Sequence, residues 1–320
     1  MVARRHHYVP QFYLKGFAVA RKKAHQLTVF DRKSRKSFST ATENVAVEKD
    51  FNRVEIDGHP PDVFEQAMSG FEGEASAALE RIIVARSIDD AEDRSYLFNL
   101  IGLLALRNPW LRERWRDFEE RIAKQIMNLV TATPERWASQ IAKAQAAGYV
   151  SKHADTDYQK MREFVVGGQY KVDVPTGRHI INEMAGLDAI LPYVFNRKWV
   201  LLKSQDNSGG FITSNHPVCL MWSDPQRRGP VGFGLRGTEI VFPVSTRLAM
   251  IGAFEIDDGE IEASEEMVAA VNGTVVQFAE RHVYARDYNF RYTLEPGEAP
   301  RKASKLTGDR RLHKTAEEDE

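Results

Sequence analysis

Cysteine is almost missing from this chain: of 320 residues only Cys219 is one. That excludes an internal disulfide framework and any Cys-rich zinc module. Set beside Leu220, Met221 and Trp222, the thiol is expected to act as a small buried hydrophobe rather than a nucleophile. Long apolar runs are missing too. The greasiest stretch, residues 96–106, is interrupted by Asn99 and falls well short of the roughly 20 residues a membrane span needs. Residues 4–10 are polar and no apolar segment follows them, so the sequence predicts a cytoplasmic protein with no membrane partner. Net charge is close to nil, with 44 Lys and Arg against 45 Asp and Glu. Any electrostatic steering of a ligand must then be local. HExxH, paired CxxC and G-x-S-x-G motifs are absent, as are internal repeats.

Against these absences the first seventeen residues, MVARRHHYVPQFYLKGF, are dense in information. Chain ends fray unless tied down. The aromatic ladder of Tyr8, Phe12, Tyr13 and Phe17 therefore predicts a packed start that holds an imidazole in place. In an extended run His6 and His7 point to opposite faces, so only one of them naturally faces a given pocket, and His7 is the candidate. Residues 1–36 carry ten Lys and Arg against the single acid Asp31, a local excess suited to a phosphate-facing surface or simply to a solvated hairpin.

The expected fold class is α+β: a central helical block on a mixed or antiparallel sheet formed by N- and C-terminal strands. A single domain over 1–294 would comprise the N-terminal motif and hairpin (1–60), the helical block (61–195) and the C-terminal sheet (196–294); an independent two-domain reading stays open. Residues 295–320, polar and without period, predict a disordered tail. Within this frame, helices are expected over 62–86, from Asp89 or Asp90 to Arg107 with a kink or restart at Pro109, from Trp110 to Val130, and after Thr133-Pro134. In the first of these Glu65, Glu72, Glu74 and Glu80 are interspersed among the apolar positions. Short strands are expected at 51–56 and 210–213, and a mobile glycine-rich flap at 229–237.

Candidate site residues come from loops and element ends. Glu43-Asn44 follows the hairpin; Glu43 would serve as a general base and Asn44 as an orienting donor. Arg107 closes an apolar helix and needs an anionic partner, for which Glu43 or a bound phosphate would serve. Ser214-Asn215-His216-Pro217 follows a short apolar strand and could line a cleft. Without flanking glycines Ser214 is a weak nucleophile candidate, whereas His216 could act as an acid.

His7-Tyr8-Val9-Pro10-Gln11-Phe12-Tyr13-Leu14 with Phe17 resembles the opening signature of the bacterial DUF4238 family, a group without an assigned function. The resemblance continues through Thr42–Ala46, Arg107-Asn108-Pro109, residues 212–217, residues 242–245, and Asn272 with Arg281. It implies a site and no chemistry. In that pattern aspartate is the commoner residue at Asn215, so an amide here would orient a substrate rather than ionise.

Together, His7, Glu43, Arg107 and His216 form the expected catalytic set. His6, Asn44, Ser214, Asn215, Asn272 and Arg281 are the expected substrate-binding residues. The toolkit matches metal-independent phosphodiester cleavage by a nuclease or phosphodiesterase, with a nucleic acid or nucleotide as partner. The alternative is a non-catalytic nucleotide- or nucleic-acid-binding protein. No cofactor is expected, though a divalent ion held by His7, Glu43 and His216 stays open.

Overall fold

The structure, a computed structural model, describes residues 4–21, 24–55, 57–154 and 156–312. The chain opens with β1 (Arg5–His7), α1 (Gln11–Lys15), β2 (Val19–Arg21), β3 (Ala24–Asp31), β4 (Lys36–Ala41) and β5 (Val47–Lys49). Helices follow: α2 (Val63–Ala85), α3 (Ala91–Leu106), α4 (Pro109–Val130), α5 (Pro134–Ala146), α6 (Tyr158–Gly167) and α7 (Thr176–Phe195). The last third holds β6 (Lys198–Ser204), β7 (Thr213–Ser214), β8 (Cys219–Trp222), β9 (Thr238–Ser245), β10 (Leu248–Ala253) and β11 (Gly259–Ala263). It ends with α8 (Glu265–Phe278), β12 (His282–Ala285), β13 (Arg291–Tyr292) and β14 (Arg301–Lys302). The fold class is α+β, as its sequence suggests.

One five-stranded sheet runs β11-β6-β10-β9-β8, antiparallel except where β11 lies parallel to β6. Its central strands are apolar almost without interruption because both faces are covered. Trp199, Leu201, Ile240, Phe242 and Met250 face a core shared with α1, α2 and α3, while Leu202, Val241 and Ala249 face the core beneath α8. Pro243 is tolerated inside β9 because the β9–β10 ladder shifts register there, and its carbonyl accepts a bond from Tyr13 Oη at 2.8 Å. A second sheet, β2-β3-β12-β7 with β4 on β3, joins the two ends of the chain, as anticipated. Tyr13, Leu14 and Phe17 are fully buried, so the aromatic start is core.

The chain divides into two compact units, Met1–Pro109 with Ile180–Glu320, and Trp110–His179. The helical block is thus not one piece: α2 and α3 belong with the sheets, and most of α4 with α5 and α6 forms the second unit. Residues 301–312 depart from the tail expectation. β14 pairs with β13, and Leu306 and Leu312 enter the α8 core; two leucines in a polar context are too sparse a pattern to mark burial. Residues 313–320 lie outside the described residues. Phe51 is a buried turn residue rather than the start of a strand, and the expected strand at 210–213 shrinks to β7. The glycine-rich segment is pinned to the sheet, since Phe233 and Gly229 accept bonds from Arg197 and Trp222.

Candidate functional site

Proline at 10 keeps Val9 extended, which lets the start of the chain run as β1 against β5 with His7 opposite Val47 and His6 opposite Glu48. Two non-glycine residues with positive φ, Ala46 (51°) and Asp50 (57°), bracket β5. That conformation is disfavoured for a side-chain-bearing residue. At Asp50 the Arg4 guanidinium grips the carboxylate and the Asp50 amide donates to the Arg4 carbonyl.

His6 turns inward. It is 3% exposed, its Nδ1 accepts from the Asn52 amide at 2.8 Å, and Glu65 Oε1 lies 3.9 Å away. The Asn52 side chain donates to the same Glu65 carboxylate. Glu65 and Glu72 are seven residues apart, two turns of α2, on the face that also buries Met68, Ala75 and Leu79. Between them lies Arg107, set down where the break before Pro109 ends α3 and 1% exposed. Its Nη2 donates to the His7 carbonyl at 3.3 Å and sits 3.7 Å from Glu65 Oε1, while Nη1 sits 3.6 Å from Glu72 Oε1. The guanidinium needs an anionic partner, as its sequence context implies, but α2 supplies it rather than Glu43. Both carboxylates keep about a third of their side chain in water. Burial pushes the Glu72 carboxyl above its ordinary value; Arg107 opposes that and Glu65 adds to it.

His7 lies on the opposite face of β1, half-buried, with Nε2 2.9 Å from Gln11 Nε2. An amide nitrogen at that position donates, so the imidazole accepts at Nε2 and carries its proton at Nδ1. Burial lowers the His7 pKa and Arg5 lowers it further, while the Val45 carbonyl and Glu65 work in the other direction. Arg5, exposed, donates to the Glu43 carbonyl at 3.3 Å and to Asn44 Oδ1 at 3.4 Å. Glu43 and Asn44 are exposed on the 3-10 turn after β4. Here Glu43 contributes a backbone oxygen to Arg5.

The remaining candidates belong to another neighbourhood, around β7 and β12. Asn215 Oδ1 accepts from the Arg281 and His282 amides. Ser214, fully buried, accepts from the His216 amide at 3.0 Å. The His216 ring meets Phe278 edge-on at 6.4 Å, and burial lowers its pKa. Arg281 clamps Asp31 with Nη2 at 2.8 Å. Burial alone would raise the Asp31 carboxyl, but Arg281 and the bonds from Ser34 hold it well below its ordinary value. Asn272 is a scaffold residue, accepting from the Ile212 amide and donating to the Gly210 and Arg291 carbonyls. Tyr8 reaches toward this region: burial raises its phenol to about 12 against hydrogen bonds with Tyr284 and Asn215.

The structure thus brings His7 and Arg107 together, with His6 behind them and Glu43 and Asn44 beside Arg5. It places Ser214, Asn215, His216, Asn272 and Arg281 around β7, β12 and α8. Glu65, Glu72, Asn52 and Arg5 are site residues that the sequence pattern does not single out. The two glutamates carry a usable signal, since they fall in register with the apolar stripe of α2 and not opposite it. Among the described residues no three His, Cys, Asp or Glu side chains converge as metal ligands, and no helix is long and apolar enough to cross a membrane. A cavity of about 540 Å³ opens near the start of α3, lined by Arg94, Phe98, Trp199 and Asp258. Its α3 residues Arg94 and Phe98 precede Arg107 by 13 and 9 residues, about 20 and 14 Å along the helix axis.

Residues 5–289 match the family described as "Protein of unknown function (DUF4238)". No curated protein and no solved structure matches the chain.

Proposed function

This chain belongs to the DUF4238 family, and we propose that it hydrolyses phosphodiesters, as a nuclease or phosphodiesterase, with His7 as its general base. One observation carries the reading: a half-buried imidazole, its pKa lowered first by burial and then by the exposed Arg5, is carried on a backbone whose carbonyl is held by the buried Arg107. An imidazole held neutral near pH 7 accepts a proton readily. In the proposed step a water or ribose hydroxyl attacks phosphorus while His7 Nε2 takes its proton. The bond from phosphorus to the leaving oxygen then breaks, and the imidazolium returns the proton to that oxygen. Gln11 occupies Nε2 in the resting arrangement, so substrate must displace its amide.

The two arginines divide the work. Arg107 is matched by Glu65 and Glu72, so it has little charge left to offer a phosphate. It positions His7 through the backbone carbonyl. Arg5 faces solvent, with Lys49 opposite it in the β1–β5 ladder, and is the group suited to the phosphoryl oxygens. The basic residues of 1–36 do not form one surface, because Arg32 donates to the Val276 and Leu312 carbonyls and Arg4 is held by Asp50.

The test is to incubate the full chain with end-labelled RNA, single- and double-stranded DNA and cyclic nucleotides, with EDTA or with magnesium. Turnover of one substrate class that persists in EDTA and falls about 10²–10⁴-fold in His7→Gln, with an unchanged melting temperature, is expected. Retention of nucleic acid without turnover would replace this reading with the binding one, and activity only in magnesium would overturn the metal-independent part.

A further inference from the structure

We propose that the substrate is a single strand of nucleic acid laid along β4, with one base against Phe38 and the flanking phosphates at Arg5 and Lys36. The inference rests on the hydrolase reading and names what that site takes. Residues two apart in a strand share a face, so Lys36, Phe38 and Thr40 stand in a row on β4. The row leads into the His7 neighbourhood. Asn44 Nδ2 donates to Thr40 Oγ1 at 3.4 Å, and Arg5 Nη2 donates to Asn44 Oδ1 at 3.4 Å. Arg5 and His7 in turn share a face of β1.

Phe38 is 46% exposed, while its register partner Val29 is buried. The ring therefore stands at the margin of the core with nearly half its surface in water, on a strand otherwise small and polar. The cations on either side of it are unspent. Lys36 has no ion pair among the described residues, because its register partner Asp31 is clamped by Arg281. Arg5 is held by a backbone carbonyl and an amide oxygen, with no carboxylate partner among the described residues. Glu43 is the single acid between Lys36 and Asn44, and it is its carbonyl that meets Arg5.

A single strand fits this order of cation, ring and cation. It carries a phosphate on each side of every base and leaves the face of the base open to stack on an aromatic ring. A duplex keeps those faces in its own stack, and opening it costs unpairing energy. Phe38 lies between the two cations, so a mononucleotide whose base covers the ring sends its phosphate to one of them only. Among the described strands β4 pairs with β3 alone, which leaves an edge that a peptide strand could join. Lysine on such an edge blunts that pairing, and strand addition gives no use to an exposed ring.

Fluorescence anisotropy tests the proposal, using labelled oligouridine and oligothymidine of twelve residues, each alone and in a duplex. The full chain carries His7→Gln in EDTA to suppress turnover. Single strands should bind more tightly than duplexes, and the preferred oligomer assigns RNA or DNA. Phe38→Leu keeps an apolar side chain without the ring and should weaken single-strand binding about 5- to 150-fold, with its melting curve unchanged. Phe38→Trp should bind as the parent does. Lys36→Gln should reduce the salt slope by about 0.7, the share of one phosphate on a single strand. No binding at about 100 μM, equal affinity for duplex, or indifference to Phe38→Leu would overturn the proposal, as would a Phe38-dependent dimer in light scattering. The wild-type chain separates this outcome from that of the hydrolase reading. Cleavage of duplex or cyclic nucleotides without single-strand binding would overturn this inference alone. Phe38-dependent binding without cleavage would uphold the β4 strip and overturn the hydrolysis.

Discussion

Replacing Arg107 by methionine probes the buried cluster most sharply. The guanidinium is 1% exposed and lies within 4 Å of two carboxylates and the His7 carbonyl. Methionine fills much of the same volume but leaves Glu65 and Glu72 without their cation. Breaking a buried ion pair from one side costs about 3–5 kcal/mol. Since each carboxylate retains a third of its exposure, the lower end applies, about 3 kcal/mol. At about 2–4 °C per kcal/mol for a large domain, the melting temperature should fall by about 6–12 °C. The loss should also depend on pH. Glu72 already lies above its ordinary 4.5, and without Arg107 it rises further. A carboxyl whose folded pKa is raised favours the fold only while protonated. The deficit relative to wild type should therefore be smallest below about pH 4.5 and grow as pH rises through the raised folded value. Thermal melts between pH 4 and 8 read this directly, and Glu72→Gln in the same background should recover part of the loss at pH 7. A melting temperature within 2 °C of wild type, or a deficit independent of pH, would refute the ion-pair account of Arg107.

Other parts of the structure make equally specific commitments. Asn272→Ala removes the partner of one backbone amide and two carbonyls in the interior, at about 1–3 kcal/mol for each group left unsatisfied. Denaturant titration should show a large stability loss, and normal stability with lost turnover would mark Asn272 as a substrate ligand after all. Cys219 is fully buried, and burial raises its thiol well above the ordinary value. It should stay unreactive toward a thiol reagent until the protein unfolds; rapid labelling of the native chain would contradict its place in the core. Glu298 is held down to about 2, first by Arg311 and then by Arg301, against the opposing effect of burial. Because its folded pKa is depressed, the stability it contributes is present above the unfolded value and is lost as pH falls toward 2. Limited proteolysis should then cut residues 295–312 faster at pH 3 than at pH 6, and Glu298→Gln should narrow that difference, leaving the part that Asp309, held by the same Arg311, contributes.

Much of the fold is legible because it rests on local signals. Asp90 accepts from the Glu92 and Asp93 amides where the sequence calls for a cap, Pro109 restarts the helix, and Thr133 caps α5 through the Arg136 amide. The signals that fail are non-local or too brief. β11 has an exposed, charged sequence and pairs in parallel with β6, which no alternation could announce. Arg32 lies in a run of charge yet donates across the fold to the end of α8, a role fixed only by tertiary contact. The site is half legible for the same reason. His7 and Arg107 carry their own argument, from the aromatic start and from a cation at the end of an apolar helix. The partners of Arg107 are hidden inside a helical stripe, where glutamate is ordinarily taken as solvent-facing. The polar run at 214–216 looks like a cleft in sequence, and Asn215 binds the β12 backbone there.

If His7 takes a proton in the reaction, phosphodiester cleavage by the wild-type chain must carry the titration of that imidazole in its pH profile. A base must be neutral to act, and burial and Arg5 lower this imidazole from 6.5. Cleavage should therefore be faster at pH 7 than at pH 6 and fall away along a single-proton limb whose midpoint lies below 6.5, a limb missing from His7→Gln. A midpoint above 6.5, or an identical limb in His7→Gln, would contradict the assignment.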